Sequence, residues 1–242
     1  MSRFIKHESC PNCGSRDNLG RYSDGSAWCF GCHYREPATG RSLHTQRDTH
    51  SGKEHFKAAP EDIGFHFPDN VLKWINQYDI TMEELYERRV RYSPQRQQLV
   101  FLFDHNIWQA RNFAEGAKSR YFTQGEVNEH LPVYRSSGGI PVVPRTCVLV
   151  EDCISAIKVA RQCDAMPLLG SNISYTKLAR LKHFYEQLIF WLDADKYKES
   201  QKLAARAKLL GLSTDVVYSS RDPKEQSDET ISEVLSHAGI NS

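Results

Sequence analysis

The pattern of apolar and polar positions along this chain is clearest in its C-terminal part. Short apolar runs at 148–150, 166–169 and 214–218 have the length and composition of strands, as does LIFWLDAD over 188–195, which stops at two aspartates. Between them, 155–162, 176–184, 196–210 and 229–237 carry helical spacing, the third closed by Gly211. Strand and helix in alternation predict an α/β fold with a mostly parallel sheet and helices on both faces. Segment 61–145 is mixed. Val71, Trp74, Ile75 and Tyr78 recur at helical spacing over 68–78, and Thr81 with Glu84 forms a capping-box pattern for a second helix reaching 88. Residues 99–103 and 107–113 read as strands joined by a turn at 104–106. Residues 37–60 have few apolar positions and no period, which predicts a flexible linker. Before it, LGRYSDGSAWCFGC predicts a hairpin turning at Asp24-Gly25. One or two of its aromatics, Tyr22, Trp28 and Phe30, are expected in a miniature core.

With 242 residues, 40% of them hydrophobic, the chain can bury a core and form more than one domain. Its net charge of +1 announces no partner, so local charge has to decide. The N-terminus lacks the apolar core of a signal peptide, and no apolar run reaches the roughly 18 residues of a membrane span. A soluble, cytoplasmic protein without membrane contact is expected.

Seven cysteines, an odd number, suit a disulfide framework badly, and four have another use. Cys10, Cys13, Cys29 and Cys32 follow the order C-x2-C, fifteen residues, C-x2-C. Two such knuckles place four thiolates tetrahedrally around one Zn²⁺, and a closed four-ligand site folds its module without doing chemistry. In that module Trp28 and its aromatic neighbours interleave with Arg21 and Arg35, a combination able to stack single-stranded bases and hold phosphates.

Between Arg88 and Arg120 stand seven Lys or Arg against two acids, Asp104 and Glu115. A basic, strand-rich surface suits a nucleic acid or nucleotide, although a solvated charged face has the same composition. GAKS at 116–119 is no P-loop, because the preceding glycine and the strand-to-helix frame are missing. In the C-terminal part the acids fall at strand ends: Glu151 after the first strand, Asp193 and Asp195 after the third, Asp222 past the fourth. Side chains alternate along a strand, so Asp193 and Asp195 are expected to point to the same side where the third strand gives way to a loop. Ligands of such sheets bind at the carboxyl ends of the strands. Oxygen ligands there suit Mg²⁺, although turn and N-cap chemistry also uses aspartate.

A strand ending in Glu, a later one ending in Asp-x-Asp and a downstream Asp resemble the TOPRIM domain of bacterial-type primases, topoisomerases and some nucleases. The Cys₄ ribbon, with its YSDG turn and WCFGC knuckle, is similar to the template-reading zinc domain of such primases. The small bacteriophage primases, and the primase half of phage primase–helicases, share the order of parts. Gln109-Ala110-Arg111 and Arg120-Tyr121-Phe122 resemble the basic motifs that face the TOPRIM acids. The resemblance implies a zinc ribbon over 1–36, a linker over 37–60, a basic subdomain over 61–145 and a TOPRIM subdomain over 146–242. It implies synthesis of short RNA primers from NTPs on single-stranded DNA, beside a replicative helicase and a DNA polymerase in a bacterial host. One or two Mg²⁺ or Mn²⁺ ions would be held by Glu151, Asp193, Asp195 and Asp222. Arg111, Arg120 and Lys118 would offset phosphate charge, and Asp24, Trp28 and Arg21 would help read the template.

This chain departs from the family pattern Glu-Gly-x-x-Asp, since its run is Glu151-Asp152-Cys153-Ile154-Ser155. Ser155 can hold a metal-bound water but supplies no charge, which weakens one ion site unless Asp152 compensates. Lys196 follows the Asp-x-Asp pair where phage relatives often carry an acid, and Ser26 stands where some carry a histidine. Two rival expectations use the same residues: a TOPRIM nuclease, and a zinc-ribbon DNA-binding adaptor without enzymatic activity.

Overall fold

The structure is a computed structural model that describes residues 2–30, 32, 34–38, 58–104, 107–125, 130–136 and 145–240. The chain divides into two compact units, Met1–His55 and Phe56–Ser242. Most of the expected linker, 39–57, and the turn residues 105 and 106 lie outside the described residues.

The first unit is an antiparallel sheet of four short strands in sequential order: β1 Phe4–Glu8, β2 Leu19–Tyr22, β3 Ala27–Cys29 and β4 Arg35–Glu36. The expected hairpin joins β2 to β3, with Leu19 opposite Cys29 and Arg21 opposite Ala27. Gly25 takes φ +83° in its turn, a conformation open to glycine. The aromatics do not form the core. Cys10, Leu19, Ala27 and Cys29 are buried, with Cys32 and Tyr34 packed against them, while Tyr22 and Trp28 are half-buried and Phe30 is 54% exposed. In so small a unit Cys10 and Cys29, with Leu19 and Ala27, take the central volume, and the ring packed beside them is that of Tyr34.

The second unit opens with α1 Asp69–Asn76 and α2 Met82–Glu87. The capping box forms as expected: Thr81 Oγ1 accepts from the Glu84 amide (3.2 Å), and Glu84 Oε2 accepts from the Thr81 amide (2.9 Å). An antiparallel sheet follows in sequential order, β5 Val90–Ser93, β6 Gln98–Asp104, β7 Ile107–Asn112 and β8 Tyr121–Gln124. Sequence periodicity indicates only β6 and β7. The outer strands VRYS and YFTQ are short and mostly polar, so their place comes from the ladder rather than from an apolar pattern.

The C-terminal part alternates as expected: β9 Thr146–Val150, α3 Cys153–Val159, β10 Ala165–Pro167, α4 Tyr175–Leu181, β11 Gln187–Phe190, α5 Tyr197–Leu209, β12 Ser213–Val216 and α6 Asp228–His237. All four strands are parallel, in the order β10-β9-β11-β12. Alternate side chains leave opposite faces. Val148, Val150 and Ile189 enter a core with α3 and α6, and Cys147, Leu149, Leu188 and Phe190 enter another with α4 and α5. Each such fully buried aliphatic side chain contributes roughly 1.5–3 kcal/mol.

The first of these cores also takes Val71 and Ile75 from α1, Leu85 from α2, and Leu99 and Phe101 from β6. Residues 61–145 and 146–242 therefore share one core. Arg161 ties them further, with its Nε 2.6 Å from Glu84 Oε1, its Nη1 2.7 Å from Asp228 Oδ1 and its Nη2 2.7 Å from the Asp79 carbonyl oxygen. All but 18% of the Arg161 side chain is shielded, so its removal leaves Glu84 unneutralised in a poorly hydrated place. Arg161→Met is expected to lower stability by about 3 kcal/mol, read as a fall in the urea midpoint with an unchanged slope.

Candidate active site

Three carboxylates, with Glu151 as a fourth nearby, surround one ammonium beyond the carboxyl ends of β9, β11 and β12. Glu151 directly follows β9, and Asp152 caps α3, its Oδ1 accepting from the Ile154 amide (2.8 Å) and the Ser155 amide (3.0 Å). Asp193 precedes a single 3₁₀ turn, Ala194–Lys196, and Asp222 precedes another, Pro223–Glu225. Lys224 from that second turn reaches back into the group. Its Nζ lies 2.8 Å from Asp222 Oδ2, 3.0 Å from Asp152 Oδ2 and 3.6 Å from Asp193 Oδ2.

The electrostatics follow from burial. Asp193 is pushed up to about 7, first by desolvation and then by Asp222, Glu151 and Asp152, against the opposing charge of Lys224. Desolvation also raises Glu151, with help from Asp152 and Asp195 and opposition from Lys196 and Lys224. Burial works against the charged form of Lys224, yet Asp152, Asp222 and Asp193 outweigh it and hold the ammonium protonated above the ordinary lysine range. One cation is not enough for this set. Glu151 Oε2 and Asp193 Oδ1 are buried without a hydrogen-bond partner, a costly condition for an ionised oxygen. An all-oxygen donor set with orphaned oxygens has the chemistry of a site for a hard divalent ion such as Mg²⁺ or Mn²⁺, although no three of these residues bring their oxygens within 4.8 Å of one another.

Asp195 stands outside the contacts of the ammonium, although its charge helps to raise Glu151. Strand β11 ends at Phe190, five residues earlier, so the alternation that would align Asp193 with Asp195 does not extend to them. The side chain of Asp195 is 75% exposed and lies 3.3 Å from Lys196 Nζ. Among the described residues, only the four cysteines bring three or more ligand atoms within 4.8 Å of one another.

The basic side comes from the antiparallel sheet. Arg111 on β7 lies 4.1 Å above the Trp74 ring and 5.2 Å from that of Tyr121, and its Nη1 donates to the Tyr121 hydroxyl (2.8 Å). Its Nε is buried without a partner. Burial raises the phenols of Tyr78 and Tyr121, and both lie in the fields of Arg111 and Asp152. Direct contact comes from Gln109, whose Oε1 accepts from Cys153 Sγ (3.3 Å) at the start of α3. Lys118 and Arg120 are exposed, and the structure gives them no ion pair with the acids. Sequence reasoning missed Lys224 and the aromatic enclosure of Arg111; a lysine two residues after Asp222 was the one available signal.

In the first unit Cys10 Sγ lies 3.6 Å from Cys32 Sγ and Cys13 Sγ 3.7 Å from Cys29 Sγ, the packing of a tetrahedral Cys₄ zinc site. The Asn12 amide donates to Cys32 Sγ (3.4 Å) and holds that thiol below its ordinary range, toward the thiolate a metal needs. Arg21 has structural partners: it spans Glu8 (2.9 Å) and Glu36 and ties β2 to β1 and β4. Asp24 Oδ1 accepts from the amide (3.0 Å) and hydroxyl (2.6 Å) of Ser26, which fixes the turn. Trp28 carries Arg35 5.1 Å above its ring and lines an open groove of about 450 Å³ with Tyr22 and Ser26.

Solved structures place this architecture among known folds. The primase fragment of the bacteriophage T7 primase–helicase aligns with 97% of this chain and 99% of its own, at 16% identity and a TM-score of 0.53. The zinc-binding and RNA polymerase domains of the Aquifex aeolicus primase align with 97% of this chain and 80% of theirs, at 13% identity and a TM-score of 0.60. The chain has a primase fold. A DNA helicase/primase of Enterobacteria phage T3 is 46% identical to it over 55 residues, 22% of this chain. The chain spans 10% of the length of that relative. No protein-family model matches the chain. No helix among the described residues of this primase fold is long and apolar enough to cross a membrane.

Proposed function

We propose that the protein is a DNA primase, a nucleotidyltransferase that joins NTPs into short RNA primers on single-stranded DNA during phage replication. The observation that carries this reading is the carboxylate group of Glu151, Asp152, Asp193 and Asp222 at the carboxyl edge of a parallel sheet in a primase fold. Glu151 and Asp193 would hold the catalytic Mg²⁺ or Mn²⁺, with Asp222 beside them. When bound, such an ion would act as a Lewis acid and offset the negative charge that develops on the phosphoryl oxygens. Arg111 is held by Trp74 and Tyr121 with its planar guanidinium pre-set, a suitable partner for a nucleotide phosphate. Lys118 and Arg120, exposed beside β8, would meet phosphate farther from the reacting atoms. In the zinc unit Trp28, Tyr22 and Arg35 offer stacking and charge to template bases. Arg21 and Asp24 would act there by fixing the hairpin that presents those groups. A replicative helicase and a DNA polymerase are the expected partners, in the cytoplasm of a bacterial host.

The test is synthesis of labelled oligoribonucleotides from NTPs and Mg²⁺ on a long, mixed-sequence single-stranded DNA. Template-dependent products of a few nucleotides are expected. Cut template without such products would identify a nuclease, and intact template with tight binding and no product, even with a helicase present, an adaptor.

A further inference from the structure

The ammonium of Lys224 sits among three of the four carboxylates. Its Nζ donates to Oδ2 of Asp222 (2.8 Å) and of Asp152 (3.0 Å) and lies 3.6 Å from Oδ2 of Asp193. We propose that Lys224 is a resident cation of the carboxylate group and replaces one divalent ion, so that this chain loads a single ion on Glu151 and Asp193. The proposal rests on the reading of these acids as a metal centre.

Three further observations support it. The oxygens left without partners belong to Glu151 (Oε2) and Asp193 (Oδ1), whereas the Oδ2 atoms of Asp152 and Asp222 are taken by the lysine. Ser155 stands where the family pattern has an acid, and its hydroxyl donates to Asp152 Oδ2 (3.1 Å), so it adds no charge for a second ion. Lys224 is also held in place. Its side chain is only 16% exposed and follows the buried Pro223. Lys158 is 2% exposed on α3, and its Nζ donates to the carbonyl oxygens of Lys224 (3.3 Å) and Gln226. These anchors fix the turn from below. A second ion held by Asp152 and Asp222 would have to displace the ammonium, because the lysine already uses the Oδ2 atom of each.

Mn²⁺ binding to the full-length, zinc-loaded protein, followed by electron paramagnetic resonance, tests this without relying on activity. The ions counted are those lost on Asp193→Asn. Wild type is expected to bind one, and Lys224→Asp two. Lys224→Met, which removes the cation without adding a further carboxylate, is expected to melt at a lower temperature without metal and to gain more from Mn²⁺ than wild type does. Two ions in wild type would overturn the proposal and leave the metal centre intact. One ion in wild type and in both variants would make Lys224 a structural group. No ion in wild type would overturn the proposal together with the metal-centre reading beneath it.

Discussion

Asp193→Asn is expected to reduce primer synthesis by about 10³-fold, while Asp195→Asn costs less than about tenfold. The two aspartates are one residue apart and share a motif, yet their surroundings differ. Asp193 keeps 22% of its side chain exposed, has one buried oxygen without a partner, and places the other 3.6 Å from Lys224. Asp195 is 75% exposed and faces Lys196. A charge buried among others acts through a low dielectric and cannot be replaced by water, whereas an exposed one is screened. Asparagine keeps the size of Asp193 and removes the charge that a divalent ion requires. Labelled product per minute, measured for both variants beside wild type, gives the comparison. DNA binding should survive Asp193→Asn, since the zinc unit and Arg111 are untouched. Equal losses would return Asp195 to the centre, and full activity of Asp193→Asn would remove the metal-centre reading.

That asymmetry marks where sequence reasoning stops. The α/β alternation of the C-terminal part is legible because burial follows local periods: Val148 and Val150 face one core, Cys147 and Leu149 the other. The capping box at Thr81 and the hairpin at Asp24 are legible for the same reason, being set within a few residues. The direction of Asp193 and Asp195 is a different matter. It depends on where β11 stops, and the run LIFWL stays apolar for two residues past Phe190, where Trp191 and Leu192 remain buried and the Trp191 amide still donates to the Leu149 carbonyl oxygen. Arg111 reads as one basic residue among several, and Trp74 as core; that one stacks on the other follows from the tertiary fold. Lys224 is the extreme case, bonded to Asp152 from 72 residues away, a pairing that no local pattern encodes.

Cys29→Ser is expected to unfold the first unit and abolish start-site choice, while extension of a ready-annealed primer falls far less. Cys29 is fully buried at the end of β3 and belongs both to the thiol cluster and to the small group of buried side chains around it. A unit of this size buries too little apolar surface to be stable alone. Structural zinc supplies on the order of 10–16 kcal/mol in such modules, far more than four small buried residues can. Serine is nearly isosteric but a poor ligand, so the variant loses the metal before it loses packing. Released zinc and faster proteolysis of residues 1–38 would report the unfolding, and the 5′ sequences of products on a mixed template would report site choice. The described buried residues of the second unit form clusters of their own, and its melting is expected not to shift. If products of Cys29→Ser kept the wild-type start sequences, template reading would belong to the second unit, with Arg111 and the exposed Lys118 and Arg120 as its first candidates.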